Sequence, residues 1–180
     1  MDFYLGLRRS ELLALRWSEI NLDQATLKVV AGLHRIKSKG LLLLDTKTES
    51  SRRAVALQRE VVERLRAIKV RQIENALGIG VPFNERAFVF ALAEGRPLSP
   101  EATSRELHRL MVAGGLEGIR LHDLHHSMKS LMLSDGVPVK YVQERLGHSS
   151  PMTTLSVYAH ALPGEHAKYA EQLAERLHGT

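Results

Sequence analysis

Apolar residues change their spacing near residue 58, and that change constrains the fold more than any other feature of the chain. Before it, residues 25–30, 40–44 and 53–57 are short β-branched or apolar runs. Lys47-Thr48-Glu49-Ser50-Ser51 reads as the turn between the last two. After it, apolar side chains recur at helical intervals to the end of the chain. Val61, Leu65 and Ile68 mark a helix over residues 58–77. Ser99-Pro100 supplies an N-cap and a first-turn proline to a helix faced by Leu107, Leu110 and Met111 and ended by Gly114-Gly115. Leu124, Met128, Leu131 and Met132 stripe a helix stopped by Gly136, and Val139, Val142 and Leu146 one stopped by Gly147. Residues 151–160 read as a short helix, and Tyr169, Leu173 and Leu177 stripe a last one. Ahead of the strands, a helix is predicted over residues 10–17, capped by Ser10 and faced by Leu12, Leu13 and Leu15. The expected class is therefore α+β: mainly helical, with one small three-stranded antiparallel sheet. No repeat or linker divides the chain, so residues 1–180 are read as one domain.

Composition narrows the chemistry. There is no cysteine, which excludes disulfides, thiolate nucleophiles and cysteine-ligated zinc. No apolar run approaches the roughly 20 residues that span a bilayer, and the first six residues lack the basic flank and apolar core of a signal peptide. A soluble, intracellular domain is the expectation. The net charge is +5, and residues 28–53 alone carry seven cations against Asp45 and Glu49, which is also +5. So concentrated a patch is the footprint of a polyanion partner, with Lys37, Lys39, Arg52 and Arg53 as the expected DNA contacts. The bland alternative is a solvated loop.

Four polar clusters are not explained by the core. Gly6-Leu7-Arg8-Arg9-Ser10-Glu11 places an arginine at a helix start with a carboxylate three residues on, a pair that is worth little if it lies on the surface. Thr46-Lys47-Thr48 sets a lysine at the tip of the basic hairpin. His122-Asp123-Leu124-His125-His126-Ser127 puts His122 and His125 on one helix face, beside the apolar stripe. Leu146-Gly147-His148-Ser149-Ser150 is followed, ten residues after His148, by Tyr158 in Val157-Tyr158-Ala159-His160. Each cluster alone is more often structural than functional.

Together and in this order, the clusters resemble the catalytic domain of the tyrosine recombinases, the phage-integrase family. The matching pattern is multi-part and runs from residue 6 to residue 160. The resemblance implies the catalytic fold of the DNA breaking-rejoining enzymes and double-stranded DNA as partner. It further implies site-specific recombination or integration through a 3′-phosphotyrosyl intermediate, with neither metal nor cofactor. By the same resemblance Tyr158 is the nucleophile, and His122 assists its proton transfer, which a phenol of pKa near 10 requires at neutral pH. Arg8 clamps a non-bridging phosphate oxygen, Lys47 protonates the leaving oxygen, His148 hydrogen-bonds the scissile phosphate, and Glu11 orients the site. A tetramer assembled on DNA through the C-terminal helix over residues 163–177, a monomer off it, and a prokaryotic, cytoplasmic, nucleoid-associated setting are implied as well.

Two departures from the family pattern stand out. The family places an arginine three residues after the first histidine, and this chain has His125 there. Histidine is largely neutral near pH 7 and offers one donor per nitrogen, so half of the arginine clamp is missing. Losing one donor to a transition-state oxyanion costs about 3–4 kcal/mol. Second, only five residues precede Gly6, where the family carries an N-terminal DNA-clamping domain and a full helix. The expectation is a catalytic domain alone, binding DNA weakly and with strong salt dependence. A truncated or impaired remnant that only binds DNA is the alternative. A metal hydrolase using His122, His125 and His126 is a weaker one, because it leaves Lys47, His148 and Tyr158 without roles.

Overall fold

The computed structural model describes residues 5–45, 52–117 and 130–147. A left-handed turn at Gly6 (φ 65) lies between the buried Leu5 and Leu7 and leads into helix α1 (Arg9–Ala14). Arg8, not Ser10, is the N-cap residue, and the Glu11 carboxylate accepts its backbone N–H at 2.8 Å, one half of a capping box. The helix stops at Ala14, short of the expected Trp17, and Trp17–Glu19 form a single 3₁₀ turn.

Strands β1 (Ile20–Asn21), β2 (Thr26–Val29), β3 (Ala31–Ile36), β4 (Gly40–Asp45) and β5 (Arg53–Ala56) come next. They form two sheets. The three-stranded antiparallel sheet has the order β1-β2-β5, with Leu27 opposite Val55 and Val29 opposite Arg53. The run at residues 40–44, expected in that sheet, instead pairs with β3 in a separate antiparallel ribbon, Leu33 opposite Leu43. β1 and β5 already occupy both edges of β2, so β4 has no place beside it. The ribbon is anchored at its base, where Ala31 and Leu33 pack on Leu13 and Ala14 of α1. Its far end, from His34 to Gly40, is exposed.

Helix α2 (Arg59–Gly78) lays Val61, Val62 and Leu65 against Leu27, Val29, Val55 and Trp17, and these residues form the main core. Helix α3 (Pro100–Ala113) starts as predicted, Ser99 accepting the N–H of Ala102. It is tied to the ribbon by Arg35–Glu101 at 2.9 Å and to α1 by Arg9–Ser104. Residues 130–134 are helical and lead through Gly136 to helix α4 (Val139–Leu146). Val142 and Leu146 of α4 bury with Leu133 in a small separate cluster. Gly147 ends α4 in the left-handed conformation, as its position predicted. The helices expected over residues 151–160 and around Tyr169 lie outside the described residues. Among the described residues, no helix is long and apolar enough to cross a membrane.

Candidate active site

The start of α1 and the first residue of β5 meet at one carboxylate, and their two arginines reach on to the end of α4. Glu11 sits on the third residue of α1, where its side chain turns back to the helix start, and it is 5% exposed. Its Oε1 accepts from Arg8 Nη1 at 2.9 Å and from Arg53 Nη1 at 3.2 Å. Its Oε2 accepts the backbone N–H of Arg8 at 2.8 Å and Arg53 Nη2 at 2.8 Å. Four donors match the roughly four lone-pair positions of a carboxylate, so Glu11 is fully satisfied. Burial alone would push its carboxyl up. The hydrogen bonds and charge of Arg53, then the backbone N–H and charge of Arg8, outweigh burial and hold it below the ordinary 4.5.

The two guanidiniums also hold the last carbonyls of α4. Arg53 Nε donates to Arg145 O at 2.8 Å, and Arg8 Nη2 donates to Gly147 O at 2.9 Å. Carbonyls at a helix C-terminus lack partners within the helix and carry partial negative charge, so cations suit them. Gly147 is needed twice here. Its φ of 65 favours glycine, and a Cβ on it would lie 2.5 Å from Arg53 Nη1.

Two cations share one carboxylate, and the cluster keeps one net positive charge. Arg8 is 42% exposed. Among the described residues its guanidinium makes only the Glu11 and Gly147 bonds, which leaves Nε–H and a second hydrogen on each terminal nitrogen. Such a fork fits a tetrahedral anion. A groove of about 570 Å³ opens between β5 and α4, lined by Arg52, Arg53, Tyr141, Gln143 and Arg145 among others, and Arg53 links it to the cluster.

Of the residues singled out in the sequence, Arg8 and Glu11 therefore meet, and Glu11 is buried rather than on the surface. Lys37 and Lys39 are exposed at the ribbon tip, and Arg52 is 59% exposed and 3.9 Å from Asp45. Arg53, expected beside them as a DNA contact, is 7% exposed, with its guanidinium turned inward onto Glu11 and Arg145. The reason is strand alternation: Arg53 shares the face of Val55, which is buried, while Ala54 and Ala56 are exposed. Lys47, His122, His125, His148 and Tyr158 lie outside the described residues. The sequence reading missed the carbonyls of Arg145 and Gly147, because a backbone acceptor has no residue signature.

Residues 3–165 match the family profile described as the phage integrase family. The chain is 30% identical over 176 residues to the ICEBs1 integrase of Bacillus subtilis, covering 97% of this chain and 47% of that protein. It is 29% identical to a XerC-like tyrosine recombinase of Caldanaerobacter subterraneus, with 96% and 47% covered. The chain thus spans about half the length of these relatives. A similar solved structure is the Tn1549 transposon integrase with transposon right end DNA, at TM-score 0.78 and 26% identity, over 99% of this chain and 57% of that one.

Proposed function

Because the chain belongs to the phage integrase family, we propose that residues 1–180 form the catalytic domain of a site-specific tyrosine recombinase acting on double-stranded DNA. The observation that carries this reading is Arg8, an exposed guanidinium braced from behind by a buried carboxylate and a helix-end carbonyl. That arrangement leaves a permanent charge open to solvent, which supports reading Arg8 as the clamp on the scissile phosphate. The Tn1549 integrase, similar over nearly the whole chain, was solved in complex with DNA.

In the proposed reaction the Tyr158 oxygen attacks the scissile phosphorus as His122 takes up the phenolic proton. The bond from phosphorus to the 5′ oxygen breaks, and Lys47 supplies the proton of the new 5′-hydroxyl. Arg8, His148 and His125 share the charge that develops on the non-bridging oxygens. The 3′-phosphotyrosyl bond conserves the energy of the backbone linkage, so a second 5′-hydroxyl can reverse the step without ATP. A tetramer on DNA joined through residues 163–177, from a monomer in solution, belongs to the same proposal, as does a place at the prokaryotic nucleoid.

The test is cleavage of a nicked duplex that loses a short fragment once cut, with one strand labelled at either end. The expected product carries protein on the 3′-phosphate end at the break and a free 5′-hydroxyl on the opposite end. Protein linked to the 5′ end at the break, or duplex binding with no covalent product, would contradict the proposal.

A further inference from the structure

Arg53 was expected on the DNA-facing edge, but its geometry gives it a different task. Its guanidinium fork grips both oxygens of Glu11 at 3.2 and 2.8 Å, while its Nε holds Arg145 O at 2.8 Å. Glu11 in turn holds Arg8 through both its side chain and its backbone N–H. The Arg8 fork closes the ring on Gly147 O, the carbonyl directly before His148. One arginine therefore links the carboxylate that holds Arg8 to the C-terminal end of α4. Glycine at 147 is what admits it, since a Cβ there would meet the guanidinium itself.

We propose that Arg53 is a positioning residue of the recombination site, fixing Arg8 through Glu11 and bracing the end of α4 through the Arg145 carbonyl. The inference rests on the recombinase reading of Arg8. Three features distinguish it from a DNA contact. Arg53 is 7% exposed, its planar fork is spent on a bidentate carboxylate grip, and its strand neighbours facing outward are alanines. A lysine keeps the charge but has no fork, so it cannot hold Glu11 and Arg145 O together.

The test compares the chain with its Arg53→Lys variant in three measurements. Duplex affinity and its salt slope are expected to stay unchanged, while the single-turnover rate of covalent adduct formation falls by about a hundredfold, the scale of a misplaced reacting group. Nitrogen-detected NMR supplies the third measurement. In wild type the guanidinium nitrogens of Arg53 and Arg8 should show hindered rotation, and in the variant the Arg8 signals should collapse to those of a freely rotating group. Three results would overturn the proposal: weakened binding with a shallower salt slope and an unchanged adduct rate, an unchanged rate in a folded variant, or a freely rotating Arg53 in wild type. The last needs no variant to fold. If wild type forms no adduct on any duplex, the recombinase reading fails instead, and the NMR signals of Arg8 still decide whether Arg53 positions it.

Discussion

A carboxylate that is 5% exposed and shared between two guanidiniums carries a different weight from the same carboxylate on a helix surface. Arg8 and Glu11 at i and i+3 would contribute at most about 1 kcal/mol in water, the bland reading of the motif. Buried with Arg53, the carboxylate balances a cation that has little access to solvent. Glu11→Gln should therefore lower unfolding stability by about 3 kcal/mol or more, the cost of leaving a buried charge without its partner. A shift of the urea midpoint equivalent to less than about 1 kcal/mol would mean the network is a surface feature after all. The sign of the pH effect comes from the lowered Glu11 carboxyl. A group with a depressed folded-state pKa stabilises the fold above its unfolded value and loses that contribution as pH falls through the folded one. Wild type should thus lose stability steeply as pH falls below about 4.5, and Glu11→Gln should lose much less over the same window. His125 raises the complementary question of a missing charge. If neutral histidine limits the phosphate clamp, His125→Arg should speed adduct formation by about a hundredfold at pH 8, with a smaller gain near pH 6, where histidine is partly protonated. Equal rates at pH 8 would show that the clamp does not need a second arginine.

Elements were legible where a local signal specified them. Ser99-Pro100 and Gly147 marked the start of α3 and the end of α4, and the helix expected over residues 58–77 is α2 within one residue at each end. The sheet was legible only in part. β3 was missed because Gly32, His34 and Arg35 interrupt any apolar run, and β4 was assigned to the wrong sheet because its four leucines carry no record of their partner. Pairing is set by which strand edges are already taken, and that is decided by the whole fold. Arg53 shows the opposite case. The period-2 spacing of Arg53, Val55 and Leu57 was visible in the sequence and already placed the arginine on the inward face, but the charge count drew it into the DNA footprint. With Arg53 turned inward, the proposed footprint keeps Lys37 and Lys39 at the ribbon tip and Arg52 on its flank. Replacing Lys37, Lys39 and Arg52 by alanine should weaken non-specific duplex binding and reduce its salt slope by about 0.9 for each phosphate that is no longer neutralised. The urea midpoint should stay unchanged, because all three side chains are exposed. An unchanged slope in equilibrium titrations would place the footprint elsewhere.

Across the whole molecule, the described site joins residues that the chain keeps far apart. Arg8 reaches Gly147 across 139 positions, and Arg53 reaches Arg145 across 92. The sequence showed the motifs and their order, but the contacts between them depend on how β5 and α4 pack against α1. Those contacts hold Arg8 in place with its side chain partly open to solvent. In the proposed reaction Tyr158 attacks the scissile phosphate. The chain has four tyrosines, Tyr4, Tyr141, Tyr158 and Tyr169. Tyr141 is a real competitor, since it lines the groove and is 48% exposed, with its hydroxyl 3.4 Å from Arg145 Nη1. The most direct measurement is mass-spectrometric mapping of the nucleotide-bearing peptide after trapping on a nicked duplex, with Tyr158→Phe and Tyr141→Phe run alongside. The modification is expected on Tyr158 alone, abolished by Tyr158→Phe and retained by Tyr141→Phe. Modification of Tyr141, or an adduct that survives Tyr158→Phe, would contradict it.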